Sequence, residues 1–377
     1  MAGVAAAEVG PLRRWCWVPV LLAVVPVMAQ HSIGVGQIDT NYVKDYSHLI
    51  ALRVFSSTKF NTLALRDDRV DPPLVYRPNN QINIGVGLSY RKLTLNLGFK
   101  APFINRDNDQ YGRTRYIDAQ ANLLSPDRAT NLFLQYFKGY HISSYGREAL
   151  GWEGMDTELP YRPDLSELNV GISTMKMANA RRFSYRAAFN QDAWQRHSQG
   201  SWMYGGYATY YHLHADSSLV PYRLAARFDR AAALRIGDLG DAGLMGGYAY
   251  TLVWGGHWFL TGSAAFGAGA SIQHTVTRPE SADVRNTTFG PGWHVQWRAG
   301  VGYNSTRDQF GLTYNQERIA YFLNVQNTFA WSVGNVRLNI VHRFSERVHA
   351  LDKLVRWLKR RSPVDQAVPA TDQAAPK

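Results

Sequence analysis

The chain has 377 residues, with 41 Lys and Arg against 29 Asp and Glu, and a formal net charge of +12. A hydrophobic content of 45% with 32 Gly excludes a disordered or collagen-like chain, and the single cysteine, Cys16, excludes a disulfide scaffold. No apolar run after residue 30 approaches the ~18 residues of a spanning helix, which excludes a helical membrane bundle.

The first predicted element is a secretory signal peptide over residues 1–29. Arg13 and Arg14 form its basic region, Trp15 to Val27 its apolar stretch, and Val27-Met28-Ala29 a small-residue cleavage site before Gln30. Cys16 lies inside the apolar stretch, so it leaves with the leader. Arg13, Arg14 and Glu8 together carry +1, and the mature chain therefore keeps about +11. That charge is scattered rather than clustered, so no nucleic acid partner is implied.

Beyond the leader the sequence repeats with a period of two. Ile82, Ile84, Val86, Leu88 and Tyr90 alternate with Gln81, Asn83, Gly85, Gly87 and Ser89. After a turn at Arg91-Lys92, Leu93, Leu95, Leu97 and Phe99 alternate with Thr94, Asn96, Gly98 and Lys100. Farther on, Trp293, Val295, Trp297, Ala299, Val301 and Tyr303 alternate with His294, Gln296, Arg298, Gly300 and Gly302. Segments of about 9–11 residues match tilted strands crossing a bilayer. The polar partners are mostly Gly, Ser, Thr, Asn and Gln, as a barrel interior requires. Such a barrel shows lipid only every second residue, consistent with the negative mean hydropathy. Aromatic residues at segment ends, among them Trp202, Tyr204, Trp254, Trp258 and Trp331, suit interfacial girdles.

These patterns predict an all-β fold, a transmembrane antiparallel β-barrel of 12–14 strands over residues 30–344. Short turns are expected at 91–92, 125–128, 177–181, 255–256 and 305–308. Long connections are expected at 60–79, 102–113, 144–163 and 274–289. Parity of the turns favours fourteen strands and requires 217–236 to cross as well, although Leu224, Ala226 and Phe228 against Arg223, Ala225 and Arg227 make a poor strand. The closing strand carries Val336, Leu338, Ile340 and Phe344 on one face and Asn335, Arg337, Asn339 and Arg343 on the other. His342 stands on the apolar face, a departure from the pattern.

After Phe344, Ser345 caps a predicted basic amphipathic helix over 345–362. Its stripe is Val348, Leu351, Leu354, Val355 and Leu358, and Pro363 ends it. Residues 363–377 are rich in Pro and Ala and are expected to form a disordered tail. The helix offers a surface for the inner leaflet or for a periplasmic or outer-membrane protein partner.

Several stretches carry a resemblance: Asp39-Thr-Asn-Tyr-Val43, "ALRVFSSTKF" from Ala51, "LVYRPNNQINIGVGLSYRKLTLNLGF" (74–99), "LQYFKGYHIS" (134–143), "QRHSQGSWMYGG" (195–206) and "GGYAYTLV" (246–253). The chain resembles, over about residues 39–344, the Bacteroidota outer-membrane proteins grouped as domain of unknown function 4421. The resemblance implies a barrel in the bacterial cell outer membrane, with outer-membrane lipids and the barrel assembly machinery as partners. It implies no activity and supplies no catalytic residues.

Candidate sites follow from the residues themselves. Asp118, Gln120, Asn122, His294, Gln296 and Arg298 are expected to line the lumen. His212, His214 and Asp216 stand at i, i+2, i+4 on one strand face, a spacing for a metal; polar residues at the wet end of a strand explain them more simply. Asp107, Asn108 and Asp109 before Gly112 offer oxygen ligands without the spacing of a calcium loop. His197 and Ser198 are the one base–nucleophile pair for a lipid-acting enzyme, a hydrolase or acyltransferase, but adjacent residues of a strand face opposite ways. The glycines of "GSAAFGAGAS" (262–271) read as strand glycines, and no cofactor is implied. Two function classes remain: a pore or structural, complex-forming barrel, and an enzyme acting on lipid at the barrel rim.

Overall fold

Alternation becomes strand along most of residues 38–344, which a computed structural model describes apart from 91–92, 101–106, 154–158 and 279–281. The leader over 1–29, the helix over 345–362 and the tail over 363–377 lie outside the described residues. In chain order the strands are β1 (Val43–Asp45), β2 (Ile50–Asp67), β3 (Leu74–Arg77), β4 (Ile82–Tyr90) and β5 (Leu93–Lys100). Then come β6 (Arg115–Leu124), β7 (Arg128–Ile142), β8 (Tyr161–Met177), β9 (Ala193–Gln195) and β10 (Gln199–His214). The last five are β11 (Leu234–Trp254), β12 (Trp258–Thr277), β13 (Val284–Asn304), β14 (Asp308–Phe322) and β15 (Asn327–Phe344).

All ladders are antiparallel, and β15 pairs with β2, Phe344 opposite Ile50, so the sheet closes on itself. The closed ladder has ten strands, in the order β15-β14-β13-β12-β11-β10-β8-β7-β3-β2. The short β3 bridges β2 and β7 at the end away from Ile50 and Phe344. Toward the terminal end, β4 and β5 branch from β2, and β6 from β7, so twelve strands of eight residues or more build the wall. Among the described residues β5 and β6 share no ladder, and β6 exposes Ala119, Gln120, Ala121 and Asn122 alike, as an edge strand does.

The segment expected to cross at 217–236 does not cross. Strand β10 ends at His214, β11 begins at Leu234, and the residues between fold through two 3-10 turns over the distal mouth. Leu224 and Phe228 are buried while Ala226 is exposed, a spacing of four that belongs to a turn and not to a strand. With this crossing lost, the even strand number of a barrel whose ends lie on one side removes a second, and the count of fourteen falls by two. The expected turn at 177–181 is likewise longer: the connection from β8 to β10 runs from 178 to 198, holds the short helix Tyr185–Phe189, and folds inward. Strands also extend into the expected long connections at 60–79 and 274–289, since β2 reaches Asp67 and β12 reaches Thr277.

The two faces of the wall differ as the alternation requires. Leu52, Val54, Ile84, Val86, Leu338 and Ile340 are exposed outward, an apolar band that water would not leave uncovered. Near the terminal end Trp254 stacks on Trp258 at 6.5 Å, Trp258 meets Tyr303 edge-on at 5.3 Å, and Tyr303 stacks on Phe310 at 5.3 Å. This run is an interfacial girdle. Between Trp254 and Trp258 the chain reverses at Gly255 and Gly256, with φ of 58° and 72°, and the His257 amide bonds to Trp254 O. Two successive positive φ values define the mirror-image turn that matches strand twist, and glycine adopts it without strain. His342 stays on the outer face, where its Nδ1 meets Asp308 at 2.6 Å at the polar end of the strand. Closure pairs the backbone groups of the ten-strand ladder within the protein, the condition for spanning hydrocarbon.

Candidate functional site

The inward face of the barrel has two regions of opposite character. The distal half is an apolar core: Leu63, Leu65, Tyr211, Phe329 and Trp331 from the wall pack with Leu219, Leu224 and Phe228 of the 215–233 cap. Tyr76 donates from its hydroxyl to the Leu219 carbonyl and ties the cap to β3. Two buried carboxylates of this half, Glu167 and Asp241, are capped by neighbours on other strands. Glu167 accepts from Asn61 and from the Tyr211 hydroxyl, and Asp241 accepts from the hydroxyls of Thr209 and Tyr321. A buried carboxylate keeps its place only when hydrogen bonds replace its water.

The terminal half is polar and is filled by the chain's own 178–198 segment. Arg53 Nη2 donates to Asn190 O at 2.7 Å, Asn304 Nδ2 to Ala193 O at 3.0 Å, Gln309 Nε2 to Ala187 O at 2.9 Å, and Arg343 Nη2 to Gln191 O at 2.8 Å. Four lumen side chains thus hold the main chain of one inserted segment. Its apolar anchor is Tyr185, buried with Phe183, Met175 and Met203, its hydroxyl 2.9 Å from Ser263 Oγ. From outside, β1 adds a three-residue ladder to β9. Arg186 pairs with Asp192 at 2.8 Å and Asp45 at 3.2 Å, joining the insert to the N-terminal segment. Burial and the two carboxylates act oppositely on Arg186, and the carboxylates prevail, raising its pKa.

The structure turns His294, Gln296 and Arg298 inward on β13 and buries all three. His294 meets the Tyr207 ring edge-on at 4.6 Å and lies 3.5 Å from Glu317, which also accepts from Gln296. The Arg298 guanidinium lies over the rings of Tyr185 and Phe189 of the insert, at 5.8 and 5.9 Å. On β6, Asp118 is paired with Lys59 at 2.6 Å and accepts from Gln135 at 3.1 Å and Gln120 at 3.0 Å. Asn122, on the same face, is exposed.

Other candidates are placed apart from one another. The Ser198 hydroxyl is engaged with the backbone of Val253, accepting from its amide at 2.8 Å, while the His197 ring lies edge-on to Tyr42. His212 bonds to Asp238 on the neighbouring strand at 2.7 Å, and the Asp216 amide donates to Asp164. Among the described residues no three His, Cys, Asp or Glu side chains are grouped to hold a metal. Asp107 and Asn108 accept from the Asn79 side chain, so this turn is closed by an amide.

Sequence reading did not single out Arg53, Glu167, Asp241 or Glu317. Their signal was the inward register of their strands, visible once neighbouring residues face lipid. Arg337 and Arg343 were already assigned to the face of β15 opposite its apolar stripe, which the structure turns inward.

The sequence profile of the family described as domain of unknown function (DUF4421) matches residues 37–344, and the chain belongs to this family. No curated protein matches the sequence. Among solved structures, the toluene transporter TodX of P. putida is 8% identical, with 79% of this chain and 91% of that one covered and a TM-score of 0.25. The translocator domain of the autotransporter NalP from Neisseria meningitidis is 8% identical, covering 87% of this chain and 94% of that one, at a TM-score of 0.28. The outer membrane protein OprG from Pseudomonas aeruginosa is 8% identical, covering 80% and 99%, at a TM-score of 0.22.

Proposed function

We propose that this barrel sits in the bacterial outer membrane as a pore closed at both ends by its own chain. The carrying observation is the 178–198 insert, held through its main-chain carbonyls by Arg53, Asn304, Gln309 and Arg343. Main-chain acceptors can exchange these donors for water, so withdrawal of the insert leaves few unsatisfied groups. The cap over 215–233 is the second closure, apolar where the first is polar. The insert side is periplasmic, because it carries both chain ends of the barrel and most of the shorter hairpin turns. Between the closures, Asp118, Gln120, Asn122, His294, Gln296 and Arg298 would set selectivity.

Planar-bilayer recordings test this reading. The full chain should open rarely, removal of 183–192 or of 219–230 should lengthen the openings, and removal of both should give a steady current. A doubly deleted barrel that keeps its heat-modifiable gel mobility but carries no current would mark a structural or complex-forming barrel instead.

A further inference from the structure

The inner wall of the terminal half carries arginines that no carboxylate contacts. Among the described residues, none of the inward-facing Arg53, Arg298, Arg337 and Arg343 has a carboxylate within 4.0 Å. Arg53 and the two Nη groups of Arg343 donate to neutral acceptors, amide and carbonyl oxygens in and around the insert. Arg298 and Arg337 do not. Each lies against aromatic rings, Arg337 over Phe55 at 4.7 Å, and the buried Nε of each has no partner. Arg298 is only 6% exposed. A guanidinium taken from water this far and left with free donors is costly unless something anionic completes it.

The register brings the two together. Arg298 on β13 stands opposite Asn315 on β14, which stands opposite Asn335 on β15, and Arg337 follows two residues along the same inward face. Asn315, Thr313 and Arg337 face inward yet keep part of their surface accessible. The nearest acids have closer partners of their own, Glu317 in Gln296 and His294 and Asp118 in Lys59 and Gln135, and act on Arg298 and Arg337 only from beyond contact distance.

We infer that this stretch of the inner wall is an oxyanion site, taking a phosphate or carboxylate group between Arg298 and Arg337. Guanidinium groups present paired donors that match such oxygens, and the Asn315 amide between them offers a further donor. The site rests on the pore reading for its biological meaning, as the place where an anionic solute pauses in transit. Its occupancy does not depend on current.

Equilibrium dialysis of the full chain in detergent, against inorganic phosphate and separately against acetate, tests the site. Saturable binding of either anion at one per barrel is expected, and the better ligand names the group. Arg298→Gln and Arg337→Gln should each weaken it by roughly 30-fold, with Arg298→Lys recovering part of the loss. Arg69→Gln, which removes a half-exposed partner of Asp67 at the distal turn, should leave binding unchanged. Absence of saturable binding by both anions, or equal binding by variants with normal heat-modifiable mobility, overturns the inference. A barrel that binds without ever conducting removes the pore and keeps the site, and one that conducts without binding does the reverse.

Discussion

The Arg343 guanidinium, on the last strand, donates to the main-chain oxygen of Gln191 at 2.8 Å across 152 residues of sequence. Gln191 has φ of 65°, the one non-glycine residue with positive φ among the described residues. A left-handed backbone at a residue with a Cβ costs about 1–2 kcal/mol, and the surroundings must impose it. Here two arginines impose it, since Arg53 Nε also donates to the Gln191 side chain at 3.2 Å. Arg343→Ala should leave the carbonyls of Gln191 and Ser305 without their donor and cost about 3 kcal/mol. Urea midpoints in detergent measure the loss, and limited proteolysis should then cut within 185–195. Unchanged midpoint and cleavage would mean that the insert is held by Tyr185 alone.

The distal cap should behave as core. Leu224 is 2% exposed and packs in the apolar cluster of the barrel mouth. Leu224→Ala should therefore cost about 2–5 kcal/mol, with the cavity as part of the cost. The exposed neighbour Ala226 gives the control, because Ala226→Ser should stay within about 0.5 kcal/mol. Equal effects at the two positions would show that 215–233 does not fill the mouth.

Outer and inner faces of β6 give a sharper contrast. Ile117 is 66% exposed on the outer face, whereas Gln120 shares the inward face with Asp118. Ile117→Arg places a guanidinium in hydrocarbon and should cost about 2–4 kcal/mol near the bilayer midplane. Gln120→Arg enters a polar lumen beside Asp118 and should cost less than about 1 kcal/mol. Reversible unfolding in lipid vesicles reads both. If the inward variant were the more damaging, the faces of β6 would be exchanged.

The barrel wall was legible because each strand repeats the same contrast, lipid on one side and lumen on the other. Trp293, Val295 and Trp297 flag His294, Gln296 and Arg298 as inward residues without any knowledge of their neighbours. The two closures were not legible. Leu224 and Phe228 show an apolar face to whatever surrounds them, and local spacing does not say whether that is lipid or the barrel's own interior. The insert is held through the carbonyls of Ala187, Asn190, Gln191 and Ala193, groups that every residue possesses and no sequence pattern marks. Glu167 with Tyr211, and Asp241 with Tyr321, meet only through strand register and barrel closure. Twelve wall strands rather than fourteen follow from the same point, since the cap mimics a weak crossing.

The contact of β1 with the insert should respond to acid. Asp45 lies outside the spanning strands, accepting from Arg186 at 3.2 Å and from the Ser47 amide at 2.8 Å. Burial acts to raise its pKa, but the Arg186 charge and the Ser47 hydrogen bonds outweigh it and hold the carboxyl below its ordinary value. A depressed carboxyl contributes stability above the unfolded pKa of about 3.9 and loses it as pH falls through the folded value. The β1–β9 ladder should therefore be intact at about pH 5 and above, and loosen below about pH 4. Trp194 reports on it, being buried and opposite Lys44 in the ladder, one position along from the Asp45–Ala193 pair. The emission difference between the natural chain and Trp194→Phe should shift to longer wavelength as pH falls through that window. Asp45→Asn should show the loosened emission at every pH, because the amide keeps the shape but loses the charge that Arg186 answers. A step of the same size in Asp45→Asn would assign the acid response to another group and leave Asp45 a bystander.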